Sequence, residues 1–364
     1  MKPLRVALLK SSFHQKGGLE KYCFRTANAL RERGHSVSIL TSSPSSEEDH
    51  VIQICSRVKP SALQLIWFDW HCRKYLRQYP HDIVFGFDRH FLPLTHYRAG
   101  NGCHAAYLER RRKGSSFLKA LSFYCNPLHL LTLLSERWLF ERHPPRAIIC
   151  NSHLVQGELH RYYPDTPQER IHVVHNGVEW HDYEEPFSRR QSSTVPRILF
   201  IGHEWRRKGL ELSLQALSRI TSSEFRMVVV GKERDPSYFI TLADRYGLSN
   251  RIEFIPTPQP AIPFYQSSDI ALLPSLYDPF ANATVEALAM GLYVITTTSN
   301  GGSEVVQEGV NGSVIDYDAG ECARQLLYAF NRIREKGSQD QIRHSVRQYD
   351  FSTQLQKIVS LVEQ

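Results

Sequence analysis

Two successive sets of apolar segments, each alternating with amphipathic ones, constrain this 364-residue chain more than any other feature. The run "RVALLK" (5–10) reads as a buried strand, followed by a glycine loop and a helix from about Leu19 to Arg33. Further strands are expected at "GHSVSILTS" (34–42), "DIVFGF" (82–87) and "AIICNS" (147–152). The scheme restarts with "RILFIG" (197–202) and continues through "FRMVVVG", "RIEFIP", "DIALLPS" and "LYVITTT", with helical patterns between. Aliphatic and β-branched strands alternating with amphipathic helices mean parallel, doubly wound sheets covered on both faces. The polar stretch "NGVEWHDYEEPFSRRQSSTVP" (176–196) carries two prolines and reads as a linker. The expected architecture is therefore α/β, with two Rossmann-like domains in tandem. Residues 1–178 form the first domain, 179–196 the linker, 197–345 the second domain, and 346–364 a C-terminal helix that packs back toward the first.

Composition excludes several alternatives. The apolar N-terminal run is too short for a signal peptide or a membrane span, and "NPLHLLTLLSERWLF" (126–140) is interrupted by His129, Glu136 and Arg137. Seven cysteines without a C-x-x-C pair suit a reducing cytoplasm better than a disulfide framework. The net charge of +7 is unevenly placed. Residues 1–180 hold 25 Lys and Arg against 15 Asp and Glu, while the remainder holds 19 against 22. The excess peaks at "YLERRRKGSSFLKALSFY", where Arg110, Arg111, Arg112, Lys113 and Lys119 lie among Tyr107, Phe117, Phe123 and Tyr124. Such a mixture suits an anionic surface (phospholipid, lipopolysaccharide or nucleic acid), or else forms a solvated helix face.

Ligands of doubly wound sheets collect at the carboxyl ends of the strands, and three loops fall there. In "KGGLEKY", Gly17 and Gly18 open the first helix, so the backbone can approach an anion at the helix start. The pattern is not G-x-G-x-x-G, which argues against a nicotinamide dinucleotide. In "GHEWRRKGLEL", Arg206, Arg207 and Lys208 stand between a strand and a helix and match a diphosphate. The third loop is "YDPFANATVEAL". Asp278 precedes a helix whose first N–H groups are partly positive, and Glu286 follows about one turn into it. A carboxylate accepts two vicinal hydroxyls well, so this arrangement suits a sugar nucleotide.

At this point the residues resemble a family. "DPFANATVEALAMGLYVITTTSNGGSEVV" is similar to the acid-x7-acid motif of retaining GT-B glycosyltransferases of family GT4. The resemblance extends to the early Gly-Gly-x-Glu, to "HVVHNGVE" (172–179), to the "RRKG" loop and to "EGVNGSVID" (308–316). "VFGFDRH" and "YRAGNGCHAAYLERR" resemble lipopolysaccharide core glucosyltransferases. The resemblance implies the GT-B fold, two Rossmann-like domains facing a cleft, and transfer of a hexose from a nucleoside-diphosphate sugar to a glycolipid acceptor. The donor implied is UDP-glucose, and the place of work the inner face of the cytoplasmic membrane. A GT4 enzyme using GDP-mannose or a UDP-N-acetylhexosamine, or another polysaccharide acceptor, is the alternative.

Site roles follow from the same resemblance. Lys208, with Arg207 or Arg206, would neutralise the donor diphosphate. Glu286 would hold the ribose, and Asp278 the transferred sugar, beside the amides of Phe280, Ala281 and Asn282. Gly17 and Gly18 would pass close to the diphosphate, and His104 would stand at the reacting centre or acceptor side. Arg110, Arg111, Arg112 and Lys113 would face acceptor or membrane. No metal or other cofactor is implied, nucleic acid is not expected as a partner, and Asp316-Tyr317-Asp318 reads as structural. Some positions depart from the family pattern: Asp278 stands where Glu is commoner, His203 where many relatives carry Arg, and Asn101 where core glucosyltransferases often carry Asp. Two rivals of other classes are a sugar-nucleotide epimerase, which needs further acids and bases around the sugar, and a non-enzymatic adaptor, which leaves the paired acids unexplained.

Overall fold

In the computed structural model the described residues are 2–12, 18–44, 50–113, 126–190, 193–257 and 259–364. They divide into two compact units, Met1–His175 with Gln354–Gln364, and Asn176–Thr353.

The first unit is built on a parallel sheet. Its strands are β1 (Arg5–Leu9), β2 (Ser36–Thr41), β3 (Val51–Gln53), β4 (Ile83–Gly86), β5 (His96–Ala99), β6 (Ala147–Cys150) and β7 (Ile171–Val173), in the order β3-β2-β1-β4-β5-β6-β7. Every pairing is parallel, as crossover helices require. The helices are α1 (Gly18–Glu32), α2 (Ser61–Gln78), α3 (His104–Lys113), α4 (Pro127–Arg137) and α5 (His153–Tyr162). The apolar runs of β1 and β6 are fully buried, as a strand covered on both faces demands. Strand β5 is different, because its buried residues include His96 and Arg98. His96 Nε2 bonds to the carbonyl of Leu361 (3.0 Å), and the Arg98 guanidinium lies 5.0 Å over the Tyr22 ring.

The second unit repeats the plan. Strands β8 (Arg197–Ile201), β9 (Arg226–Val230), β10 (Ile252–Ile255), β11 (Ile270–Leu273), β12 (Tyr293–Thr297) and β13 (Gly312–Ile315) run parallel in the order β10-β9-β8-β11-β12-β13. Its helices are α6 (Glu184–Ser188), α7 (Leu210–Ser218), α8 (Pro236–Arg245), α9 (Ile262–Gln266), α10 (Asn282–Ala289), α11 (Ala319–Arg332) and α12 (Ser338–Ser345). The last helix, α13 (Phe351–Val362), starts in this unit, and its residues from Gln354 onward count with the first.

Within the stretch expected as a linker, Trp180–Tyr183 and Glu184–Ser188 are helical. Trp180 is 7 % exposed, with the guanidinium groups of Arg343 and Arg347 at 4.2 and 4.5 Å from its ring centroid. Polar composition suggested a linker, but one buried aromatic ring stacked by two cations anchors the segment to the second unit.

Candidate functional site

In the second unit, β8 ends at Ile201 and the chain turns through Gly202 to Gly209 before α7. Gly209 has φ of +86°, and a Cβ there would lie 1.9 Å from the carbonyl oxygen of Pro274. Only glycine fits this close approach of the cationic loop to the segment after β11. That approach sets the "RRK" side chains against the Asp278 loop. Lys208 Nζ donates to Asp278 Oδ2 (2.5 Å) and Arg207 Nη1 donates to the same oxygen (3.2 Å) and to the carbonyl of Tyr277 (3.0 Å). Arg207 Nε also pairs with Glu204 (2.6 Å). Arg206 behaves differently. Its guanidinium meets Glu211 at 3.1 Å and lies 4.7 Å over the Tyr238 ring.

Asp278 is 7 % exposed. Burial alone would raise its pKa, but Lys208 and then Arg207 outweigh it and hold the carboxyl below its ordinary value. The residue is a fixed anion flanked by two cations, and an ammonium has three donors, so the bond to Asp278 leaves Lys208 able to donate elsewhere. The loop around it is shaped by its own amides. Phe280 N donates to Asp278 Oδ1 (3.2 Å) and Ala281 N to Asn300 Oδ1 beyond β12 (3.0 Å), so both amides are engaged by protein side chains. Helix α10 then starts at Asn282 without a side-chain cap, and Asn282 Oδ1 accepts from Asn176 (2.8 Å). One turn on, Glu286 Oε2 accepts from the hydroxyl of the fully buried Tyr265 (2.9 Å).

Asn300 is a residue that sequence reasoning missed. It is fully buried; besides the Ala281 amide it accepts from Gly302 N (2.9 Å), and it donates to Thr284 (3.2 Å) and Thr296 (2.8 Å). One amide thus ties β12, the Asp278 loop and α10 together. The Asp316-Tyr317-Asp318 segment has a plain role: Asp318 accepts from Glu321 N (2.7 Å) and caps α11.

In the first unit, Gly17 lies outside the described residues, and α1 begins at Gly18. At the carboxyl ends of β1 and β4 an ionic cluster occurs that the sequence reading did not single out. Lys10 Nζ lies 2.9 Å from Asp88 and 3.5 Å from Glu20, and Ser11 donates to Asp88 through N (2.8 Å) and Oγ (2.9 Å). Burial opposes both charges, yet the pairing prevails, so the Lys10 pKa lies above its ordinary value and that of Asp88 below.

His104 opens α3. Its N–H donates to the fully buried carboxylate of Glu136 (2.8 Å), which also accepts from Arg89 Nε (2.7 Å) and the Tyr163 hydroxyl (2.8 Å). The imidazole Nε2 lies 3.1 Å from Nδ1 of His129. Burial, then Arg89 and His129, push the His104 pKa down to about 3, so the ring is neutral and serves as a hydrogen-bonding group rather than an acid. Of the basic run on α3, Arg110 pairs with Glu158 (2.5 Å) and Arg111 donates to the Tyr107 hydroxyl (2.9 Å), while Arg112 is exposed. The Lys113 side chain and residues 114–125 lie outside what the structure describes.

Two Rossmann-like units, with a cationic loop against a buried acid in the second, define a glycosyltransferase of the GT-B type. Residues 16–180 match the model of Glycosyltransferase Family 4 and residues 195–332 that of Glycosyl transferases group 1; the chain belongs to this family of transferases. It is 24 % identical to the lipopolysaccharide glucosyltransferase WaaG of Escherichia coli K12 over 329 residues, covering 85 % of this chain and 84 % of that one. The crystal structure of WaaG, a glycosyltransferase involved in lipopolysaccharide biosynthesis, superposes with a TM-score of 0.78 at 20 % identity, over 98 % of this chain and 99 % of the other. That of Anabaena Alr3699/HepE in complex with UDP-glucose has a TM-score of 0.70 at 18 % identity, over 99 % of each chain. Similarity to the uncharacterized glycosyltransferase MJ1607 of Methanocaldococcus jannaschii is 27 % over 161 residues, and spans only 41 % of either chain.

Proposed function

We propose that this glycosyltransferase moves a hexose, with retention of configuration, from a nucleoside-diphosphate sugar to a lipopolysaccharide core or a similar glycolipid. UDP-glucose is the proposed donor, and the inner face of the cytoplasmic membrane the place of work. The observation that carries the reading is the Lys208–Asp278–Arg207 cluster at the carboxyl ends of the β8 and β11 strands, with Glu286 on the adjoining helix. Similarity to WaaG supports the acceptor class, and the likeness to the UDP-glucose complex of HepE supports the donor.

In this reading Lys208 and Arg207 meet the diphosphate, Asp278 orients the sugar hydroxyls and Glu286 the ribose. Arg207 is preferred to Arg206 for the phosphate because it stands beside Lys208 against Asp278, whereas Arg206 turns to Glu211 and Tyr238. The acceptor hydroxyl attacks the face that the nucleotide leaves, and the departing phosphate oxygen takes its proton. The protein then contributes positioning and charge neutralisation rather than a dedicated base. His104, neutral, takes a hydrogen bond on the acceptor side, and Arg112 with its neighbours meets the acceptor's anionic groups.

A donor panel tests the proposal: nucleotide release from UDP-glucose, UDP-galactose, UDP-N-acetylglucosamine and GDP-mannose, with and without truncated lipopolysaccharide. Release from UDP-glucose that rises with acceptor, gives an α-linked product by NMR and persists in a chelator is expected. Preference for another donor, a β-linked product or dependence on a divalent cation would each overturn the corresponding part.

A further inference from the structure

Helix α2 of the first unit is apolar on two opposite sides. Phe68 and Cys72, at 1 % and 0 % exposure, face the core. Leu63, Ile66, Trp67 and Trp70, at 54, 48, 42 and 55 % exposure, recur at helical spacing on the other side. The same stripe continues one and two turns later as Lys74 and Arg77, both exposed. The indoles of Trp67 and Trp70 stack at 5.9 Å with His71 against both, and the Lys74 ammonium lies 5.8 Å from the Trp70 centroid. Folding gains nothing by leaving two tryptophans in water. On the neighbouring α4, Leu130 and Leu134 are also exposed, at 43 and 57 %.

We propose that α2 lies flat on an anionic phospholipid bilayer, with its outer apolar stripe in the headgroup layer and Lys74 and Arg77 on lipid phosphates. The proposal deepens the reading of a membrane-borne acceptor, on which it rests only for its purpose. Three features favour lipid over protein. Indoles prefer the boundary between hydrocarbon and headgroups, where one end is apolar and the other wet. The exposed charges of α2 are Arg73, Lys74 and Arg77, all cationic, while its one acid, Asp69, is buried against His90 (2.6 Å). A second copy of this face would offer the cations no acid to meet. Finally, an 18-residue helix is about 27 Å long, enough for the stripe and the cationic end to engage the surface together. This face is separate from the basic run on α3.

The test uses the full chain and vesicles of phosphatidylcholine with one quarter phosphatidylglycerol. Trp67→Ser/Trp70→Ser should lower vesicle partitioning by more than about tenfold. Lys74→Gln should lower it by about fivefold, and only when phosphatidylglycerol is present. Brominated lipids should quench the wild-type fluorescence strongly and the Trp67→Phe/Trp70→Phe variant far less, since Trp180 and Trp205 are buried and Trp138 is half-buried. Unchanged donor hydrolysis and an unchanged melting temperature in these variants show that the fold is kept. Partitioning or quenching equal to wild type in the tryptophan variants would overturn the proposal. So would light scattering that shows a dimer dissolved by Trp67→Ser/Trp70→Ser, which gives the face to a second copy. If wild type docks through the tryptophans yet transfers to no glycolipid, the acceptor reading fails and the docking stands.

Discussion

Lys208 Nζ donates to Asp278 Oδ2 at 2.5 Å, across seventy residues of sequence, and Arg207 meets the same oxygen. The proposed phosphate ligands and the proposed sugar ligand are therefore one electrostatic unit, and substitutions within it should differ in sign. Asp278→Asn keeps the shape and removes the anion from beside two cations. Affinity for free UDP should hold or rise, while turnover falls because the sugar loses its acceptor. Lys208→Met should do the reverse to the nucleotide. Loss of a charge-assisted bond costs roughly 1.5–3 kcal/mol, about tenfold to a hundredfold in affinity. It should also lower the melting temperature, since Asp278 keeps only Arg207. Titration calorimetry with UDP decides the matter, and equal losses in both variants would show that the unit does not divide in this way.

Glu286 is held from the side by Tyr265, whose hydroxyl donates to Oε2 at 2.9 Å inside the core. Two substitutions should therefore weaken UDP by different amounts. Glu286→Gln, which replaces one acceptor with a donor, should cost about tenfold to a hundredfold. Tyr265→Phe touches no nucleotide and only frees the carboxylate to move, so about two- to tenfold is expected. A Tyr265→Phe variant with wild-type UDP affinity would mean that the hydroxyl merely satisfies the core.

The contrast between what was and was not legible in the sequence follows from these contacts. The aliphatic strands β1, β8 and β11 are visible because burial on both faces demands unbroken apolar runs. Strand β5 is not, because His96 and Arg98 are buried beside partners remote in sequence, the Leu361 carbonyl for the imidazole and the Tyr22 ring for the guanidinium. Helix α2 lacks a single apolar stripe and so shows no clear period. Asp278, Glu286 and the cationic loop stood out as charges where a core gains nothing from them. Asn300, Glu136 and the Lys10–Asp88 pair did not, since an asparagine after a strand or an acid in a helix is ordinary until its partners are known.

His104 carries a pH prediction. Its pKa is pushed down to about 3 in the folded protein, below the ordinary 6.5, so between these values the unfolded chain binds more protons. Stability from this group is present above about pH 6.5 and declines as the pH falls toward 3. His104→Gln should therefore lose less melting temperature than wild type between pH 7.5 and pH 5. The same neutrality predicts that His104 adds no ionisation to the rate profile between pH 6 and 9. An acid limb in that range that vanishes in the variant would contradict the neutral assignment.

Asn300 offers the strictest check on how the candidate site is built. Its Oδ1 holds the amides of Ala281 and Gly302, and its Nδ2 holds the hydroxyls of Thr284 and Thr296, all without exposure to solvent. Asn300→Ala strands two buried amides, a loss of about 2–4 kcal/mol in unfolding free energy. Asn300→Asp keeps both acceptors and forfeits the donors. It also sets a second carboxylate on the residue that bridges Asp278, so its stability should fall with rising pH as that acid ionises. Because Glu286 sits a full turn beyond the anchored loop, nucleotide affinity should suffer less than turnover in both variants. Denaturant unfolding at pH 5 and pH 8, alongside UDP calorimetry, measures each part. A wild-type midpoint for Asn300→Ala, or nucleotide affinity lost in proportion to turnover, would mean that the Asp278 loop is positioned by something other than this amide.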